Sequence, residues 1–200
     1  MFKSTRLVLF LVVCFMLNAC VSTVESIKID SITQLAEDTG YLFISLDSEI
    51  SISDVRISGE QYISLKSPDV YDSVKYYLVP VPAGSYQIDW LGVYWGGRFN
   101  LDEDEDKDLW AFTVAPGVIS YVGELKVKRF SYGYSSFELI NQSSQALEYL
   151  EVKYPTILAN RELQYHGPGE DSFFDLVFEK QNPVSPKMPN GEESGKRLAL

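Results

Sequence analysis

Three aspartates at alternate positions, Asp102, Asp104 and Asp106, sit in the run Asp102-Glu103-Asp104-Glu105-Asp106-Lys107-Asp108 and have the spacing most like a metal site. Oxygen ligands at positions one, three and five open the calcium loop of an EF-hand. The match stops there, because Lys107 occupies the position that needs a glycine and Thr113 the one that needs a bidentate glutamate. Like charges at this density repel and hydrate. The run therefore reads as a solvated loop between strands with no metal expected, and a looser calcium site of millimolar affinity on Asp102, Asp104 and Asp106 is the alternative.

Acid–base and nucleophilic chemistry has less to work with. The one histidine, His166, lies in Tyr165-His166-Gly167-Pro168-Gly169, and no G-x-S-x-G, H-E-x-x-H or P-loop spacing occurs. A triad needs its histidine on a rigid element, so these surroundings suggest a surface histidine. A carboxylate pair for glycoside hydrolysis leaves no signature in sequence, since its separation exists only in space. No catalytic residue and no cofactor are expected. Aromatic residues are the better candidates for binding. Strand periodicity assigns Tyr86, Trp90, Tyr94, Phe112 and Tyr121 inward, which leaves Trp95 and the Tyr132-Gly133-Tyr134 turn as candidate ligand contacts.

The elements that must position these residues are mostly short strands. After Gly40, Leu42, Ile44 and Leu46 alternate with Ser45 and Asp47, and a slip in parity near Ser53-Asp54 marks a bulge before Val55 and Ile57. Two hairpins are expected. One joins 74–81 to 85–95 through Pro82-Ala83-Gly84; the other joins 109–114 to 118–127 through Pro116-Gly117. With 135–140 this predicts a mainly β fold, an antiparallel β-sandwich of about seven or eight strands. One helix is expected near 143–154, stopped by Pro155, with Leu147, Leu150 and Tyr154 packed on the sandwich. The domain spans 40–165, and 166–200 reads as a flexible C-terminal tail.

The N-terminus carries an address. Lys3 and Arg6 precede an apolar run, Leu7 to Leu17, too short for a bilayer that takes about 20 apolar residues, as in an export signal. The run ends in Leu17-Asn18-Ala19-Cys20, which resembles the lipobox of bacterial lipoproteins. That resemblance implies a signal peptide over 1–19, an acylated Cys20 and a tether over 20–39, with a first strand or helix carrying Ile27, Ile29, Ile32 and Leu35 as the alternative for part of it. Val21 stands where an inner-membrane retention signal of that family would place Asp, so the resemblance implies the outer membrane, facing the periplasm. Removing Lys3 and Arg6 shifts the formal charge from -11 to -13, which disfavours nucleic acid and anionic headgroups alike. Membrane attachment is then expected through lipid. Cys14 lies in the discarded run and Cys20 is consumed by the anchor, so no disulfide is expected.

The stretch Val79-Pro80-Val81-Pro82-Ala83-Gly84-Ser85-Tyr86-Gln87-Ile88 resembles a turn-and-strand element of immunoglobulin-like or transthyretin-like sandwich modules in secreted proteins, and 112–125 is similar to the matching element in uncharacterised bacterial lipoproteins of this build. The resemblance implies a fold and carries over no catalytic residue. The expectation is a non-enzymatic envelope lipoprotein that binds a protein or glycan partner, the alternative an envelope hydrolase with a carboxylate site.

Overall fold

A computed structural model describes residues 22–32, 34–66, 74–94, 97–101, 107–129 and 135–181. In chain order the strands are β1 (Ser22–Thr23), β2 (Thr39–Ser48), β3 (Ile52–Gly59), β4 (Ile63–Lys66), β5 (Lys75–Pro82), β6 (Gly84–Val93), β7 (Gly97–Asn100), β8 (Ala111–Val114), β9 (Ile119–Arg129), β10 (Ser135–Ile140) and β11 (Leu163–Tyr165). The helices are α1 (Ser143–Lys153), α2 (Pro155–Asn160) and α3 (Phe173–Gln181), with a 3-10 turn at Lys107–Trp110. A front sheet runs β1-β4-β3-β6-β7 with β8 also on β6, and a back sheet runs β10-β9-β2-β5 with β11 also on β9. The molecule is a β-sandwich with helices on its back sheet. It has more strands than the alternation suggested because β1, β4, β7 and β11 are too short to alternate visibly. Pairing is mixed, with β2–β9, β9–β11 and β1–β4 parallel.

The back sheet explains the layering. Leu42, Ile44 and Leu46 of β2 point between the sheets and meet Val55, Ile57 and Leu65, as their parity predicts. Tyr41 and Phe43 point the other way and are buried as well, with Leu78, Ile119 and Tyr121, under Leu147, Leu150, Tyr154, Ile157 and Phe174. A strand that is apolar on both faces must be central and covered twice. In β9 the step from Tyr121 to Glu124 spends three residues against two from Phe43 to Ser45, a bulge that turns Glu124 to the helical side. Gly123, at φ +118°, supplies the backbone conformation this needs.

Two connections differ from the expected hairpins. Strand β5 lies in the back sheet and β6 in the front, and β8 lies in the front and β9 in the back. Both Pro/Gly turns are corners between sheets. The chain just before and at the start of β2 fastens each one: Asp38 O accepts from the Ala83 N–H at 2.6 Å and Thr39 O from the Gly117 N–H at 2.9 Å. Alternation cannot distinguish a hairpin from such a corner, since both sheets face one core. The bulge at Ser53 is present, between the Ile52–Val93 and Asp54–Gly92 pairs.

Parts of the segments assigned to tether and tail are packed on the back sheet. The first helix ends at Lys153 with Tyr154 as its C-cap, directly before Pro155 as expected, and Pro155 is itself the first residue of α2, where its missing N–H is one the helix start would leave unbonded anyway. Asp30 accepts from the Thr156 and Ile157 N–H groups at 2.7 and 3.0 Å, capping that helix from far back in the chain. Ile27 donates to Leu78 O at 2.9 Å and accepts from the Tyr154 hydroxyl, so the tether assigned to 20–39 is docked where it is described. The tail assigned to 166–200 is ordered through Gln181. Asp171 accepts from the Phe173 N–H (2.9 Å), Ser143 Oγ (2.6 Å) and Asn141 Nδ2 (2.8 Å), joining the starts of α3 and α1. Phe174 then sits edge-on to Tyr121 with 2% of its surface exposed. Among the described residues no helix is long and apolar enough to cross a membrane.

Phe174→Ala should lower the unfolding free energy by about 3–5 kcal/mol in a denaturant titration. Leu176→Ala, on the exposed side of the same helix, should change it by less than about 0.5 kcal/mol. Equal, small effects would show that α3 is not part of the core.

Candidate functional site

The residues singled out from sequence, Cys20, Trp95, Asp102, Asp104, Asp106, Tyr132 and Tyr134, lie outside the described residues. Their flanks are fixed. Leu101 and Trp110 are buried at the two ends of the acidic run, and β7 and β8 pair with the same strand, β6, on either side of it. Residues 132–134 fall between β9 and β10 in the chain, and those strands pair from Ser135–Arg129 onward. Among the described residues no group of three or more His, Cys, Asp or Glu is placed to hold a metal ion.

The outer face of the front sheet holds a cluster that alternation places wrongly. Between Ile57–Ile88 and Arg56–Trp90, β6 spends one residue more than β3, and Asp89 is the extra one. Ile88 and Leu91 stay in the core while Trp90, expected inward, turns outward. Register then sets two rows across the sheet: Ser64, Arg56, Trp90, Asn100 and Lys66, Asp54, Gly92, Arg98. The Arg56 guanidinium carbon lies 4.0 Å from the Trp90 ring centre and that of Arg98 4.4 Å, reaching it from the strands on either side. Each such contact contributes about 0.5–1 kcal/mol at an exposed site. Arg56 Nε also meets Asp54 Oδ2 at 3.4 Å, and its guanidinium carbon lies 5.8 Å from the Tyr62 ring centre. Gly92 makes the room: a Cβ there would fall 2.9 Å from the Trp90 ring and 2.5 Å from Asp54 Oδ1. The described helices all pack on the back sheet, and none of them covers this face.

His166 is held more firmly than its Gly/Pro surroundings suggest. Its N–H donates to Tyr121 O at 2.8 Å and its carbonyl accepts from the Thr113 N–H at 3.4 Å, extending the line of β11. Its ring stands 3.4 Å from Thr113 Oγ1 through Nδ1 and 3.0 Å from Gln164 Oε1 through Nε2. An open groove of about 450 Å³ adjoins it, lined by Ser85, Phe112 and Gly167 among others. The Thr113–His166 separation is longer than the roughly 2.6–3.2 Å of an engaged nucleophile and base.

A third polar group lies under α1. Glu124 is 2% exposed, its Oε1 is 3.9 Å from Lys126 Nζ, and that ammonium is 3.0 Å from Asp47. Glu124 Oε2, Ser45 Oγ and Tyr121 OH are buried without a hydrogen-bond partner among the described residues. Burial, reinforced by the Asp47 charge, pushes the Glu124 carboxyl above the ordinary value of 4.5 despite Lys126 and Ser45 nearby. Tyr76 and Tyr149 stack at 4.0 Å between the back sheet and α1, and burial raises the Tyr149 hydroxyl to about 12. A carboxylate so enclosed has no opening to a substrate.

No protein-family model and no curated protein matches this chain.

Because folding raises the Glu124 value, the folded chain holds this proton more tightly than the unfolded chain. The stabilisation is full below 4.5 and is lost as pH rises through the raised value. Glu124→Gln should remove that loss, so the melting-temperature difference between variant and wild type should grow in the variant's favour from acid toward neutral pH. A constant difference across this range would show that Glu124 does not titrate in the fold.

Proposed function

We propose that this chain is a non-enzymatic cell-envelope lipoprotein whose sandwich presents the outer face of its front sheet to an envelope partner, protein or glycan. The observation that carries the reading is Trp90 held between Arg56 and Arg98 on a face that the described helices leave open. Arginine and tryptophan are the residues that most often anchor interfaces, and a rigid sheet holds them in place before a partner arrives. The location rests on the export signal and on Leu17-Asn18-Ala19-Cys20: acylated Cys20 would hold the domain on the outer membrane, facing the periplasm. The rival, a hydrolase working through carboxylates, is disfavoured because the close pair Glu124 and Asp47 shares Lys126 and Glu124 is enclosed.

A photo-crosslinking residue at Ser64, on the open face, should yield adducts in living cells that disappear when Trp90→Ala is added. The same probe at Glu148, on the exposed side of α1, should yield none that depend on Trp90. Adducts at Ser64 indifferent to Trp90 would refute the assignment of this face. Separately, Cys20→Ala should abolish incorporation of labelled fatty acid, and labelling that persists would refute the anchor.

A further inference from the structure

We infer that the flank of the sandwich crossed by the N-terminal segment rests on a zwitterionic lipid bilayer, with Ile29, Ile32 and Val152 in the headgroup layer. The inference rests on the acyl-anchor reading and gives the folded body a second membrane contact. Among the described residues six large apolar side chains are exposed, and Ile29, Ile32 and Val152 are the barest of them, at 72%, 64% and 81%. They share one corner. Ile27 O accepts from the Tyr154 hydroxyl and the Asp30 carboxylate accepts from the Thr156 and Ile157 N–H groups, so residues 27–30 run beside 154–157. Ile29 falls between those two contacts, Ile32 two residues beyond them and Val152 two residues before Tyr154. Pro155, within the same corner, is exposed as well. Apolar side chains gathered outside a fold in this way mark a contact surface for something apolar.

The anchor would set lipid against this flank. Strand β1 is outermost in the front sheet, and Ser26 and Ile27 bind Leu78 on β5, which is outermost in the back sheet. These two edges lie together, since the Tyr77 hydroxyl of β5 donates to Lys66 O of β4 at 3.0 Å. The N-terminal segment therefore crosses a single flank, from β1 past β5 to the start of α2. Acylated Cys20 would stand two residues before Ser22, at most about 7 Å of chain, so this is the flank a bilayer meets. A second copy or a protein partner would have to displace the lipid to reach Ile29. Lys28 and Glu25 pair at 2.6 Å on the same segment, and 28 acidic residues against 17 Lys and Arg in the whole chain favour zwitterionic over anionic headgroups.

The test is lipid quenching of single fluorescent labels on the full acylated chain, inserted in vesicles of phosphatidylcholine and phosphatidylethanolamine. With Cys14 removed in the signal peptide and Cys20 acylated, Ile29→Cys, Val152→Cys, Ser64→Cys and Leu176→Cys each carry one free thiol for the label. An apolar surface seated at the headgroup boundary lies about 5–10 Å deep, so phospholipids with a nitroxide there should quench the labels at 29 and 152 at least about threefold more than those at 64 and 176. Ile29→Asp combined with Ile32→Asp should lower quenching at 152 at least about twofold, with the melting temperature unchanged because both positions are exposed. Equal quenching at all four positions, an indifferent aspartate pair, or quenching that requires added phosphatidylglycerol would each overturn the inference. Energy transfer between chains labelled at 29, without lipid quenching, would assign the corner to a second copy and overturn it too. An acylated chain that fails these tests leaves the anchor reading standing, whereas a chain that carries no acyl group overturns both.

Discussion

The double burial of the back sheet is the constraint on which the rest of this fold depends. Strands β2 and β9 carry large apolar groups on both faces, Leu42 and Ile44 on one side, Tyr41, Phe43 and Tyr121 on the other. At roughly 25 cal/mol per Å² of apolar surface, leaving either side wet would forfeit several kcal/mol, so the sheet needs two covers. The front sheet supplies one and the three helices the other. The Pro/Gly corners follow, because a chain that closes a two-sheet core must change sheets. The docked N-terminal segment follows too, since Asp30 and Ile27 complete the helical cover.

This layering also separates the polar groups by what they can do. Glu124 lies between back sheet and helices, where burial acts on its ionisation but excludes any partner. The front sheet has a cover on one side alone among the described residues, and its other face can display charge. Arg56 and Arg98 lie over the Trp90 ring from the strands on either side of it. Ordering long side chains in this way costs entropy before any ligand binds, so less is lost on binding.

Much of the fold was legible in the sequence. The alternation at Leu42, Ile44 and Leu46, the bulge near Ser53 and the helix over 143–154 follow from periods of two and 3.6 acting on side chains that must be buried. The hairpins were not legible as corners, because alternation reports burial and not which sheet a strand joins. The order of 166–181 was masked by Gly167, Pro168 and Gly169, although Phe173, Phe174, Val177 and Phe178 just beyond supply an apolar stripe. Trp90 was assigned to the wrong face, yet a signal was there: Ile88 and Leu91 are three apart, a spacing that an unbroken strand does not use for two residues on one face. The importance of Arg56 and Arg98 had no such signal, since pairing across strands is invisible along the chain.

The docking of residues 22–30 bears on how far this protein can reach. Were the acyl chains on Cys20, two residues from Ser22 in β1, the leash between lipid and folded body would extend roughly 7 Å, at about 3.3–3.6 Å per residue. Strand β1 is the outermost strand of the front sheet, with β4 and β3 between it and β6, so Trp90 would ride three strand spacings, roughly 14 Å, from the anchored edge. A body on so short a leash would patrol only the layer next to a membrane. Anything it held would have to come to the bilayer surface, and the face that did the holding would stand at a nearly constant height above the lipid.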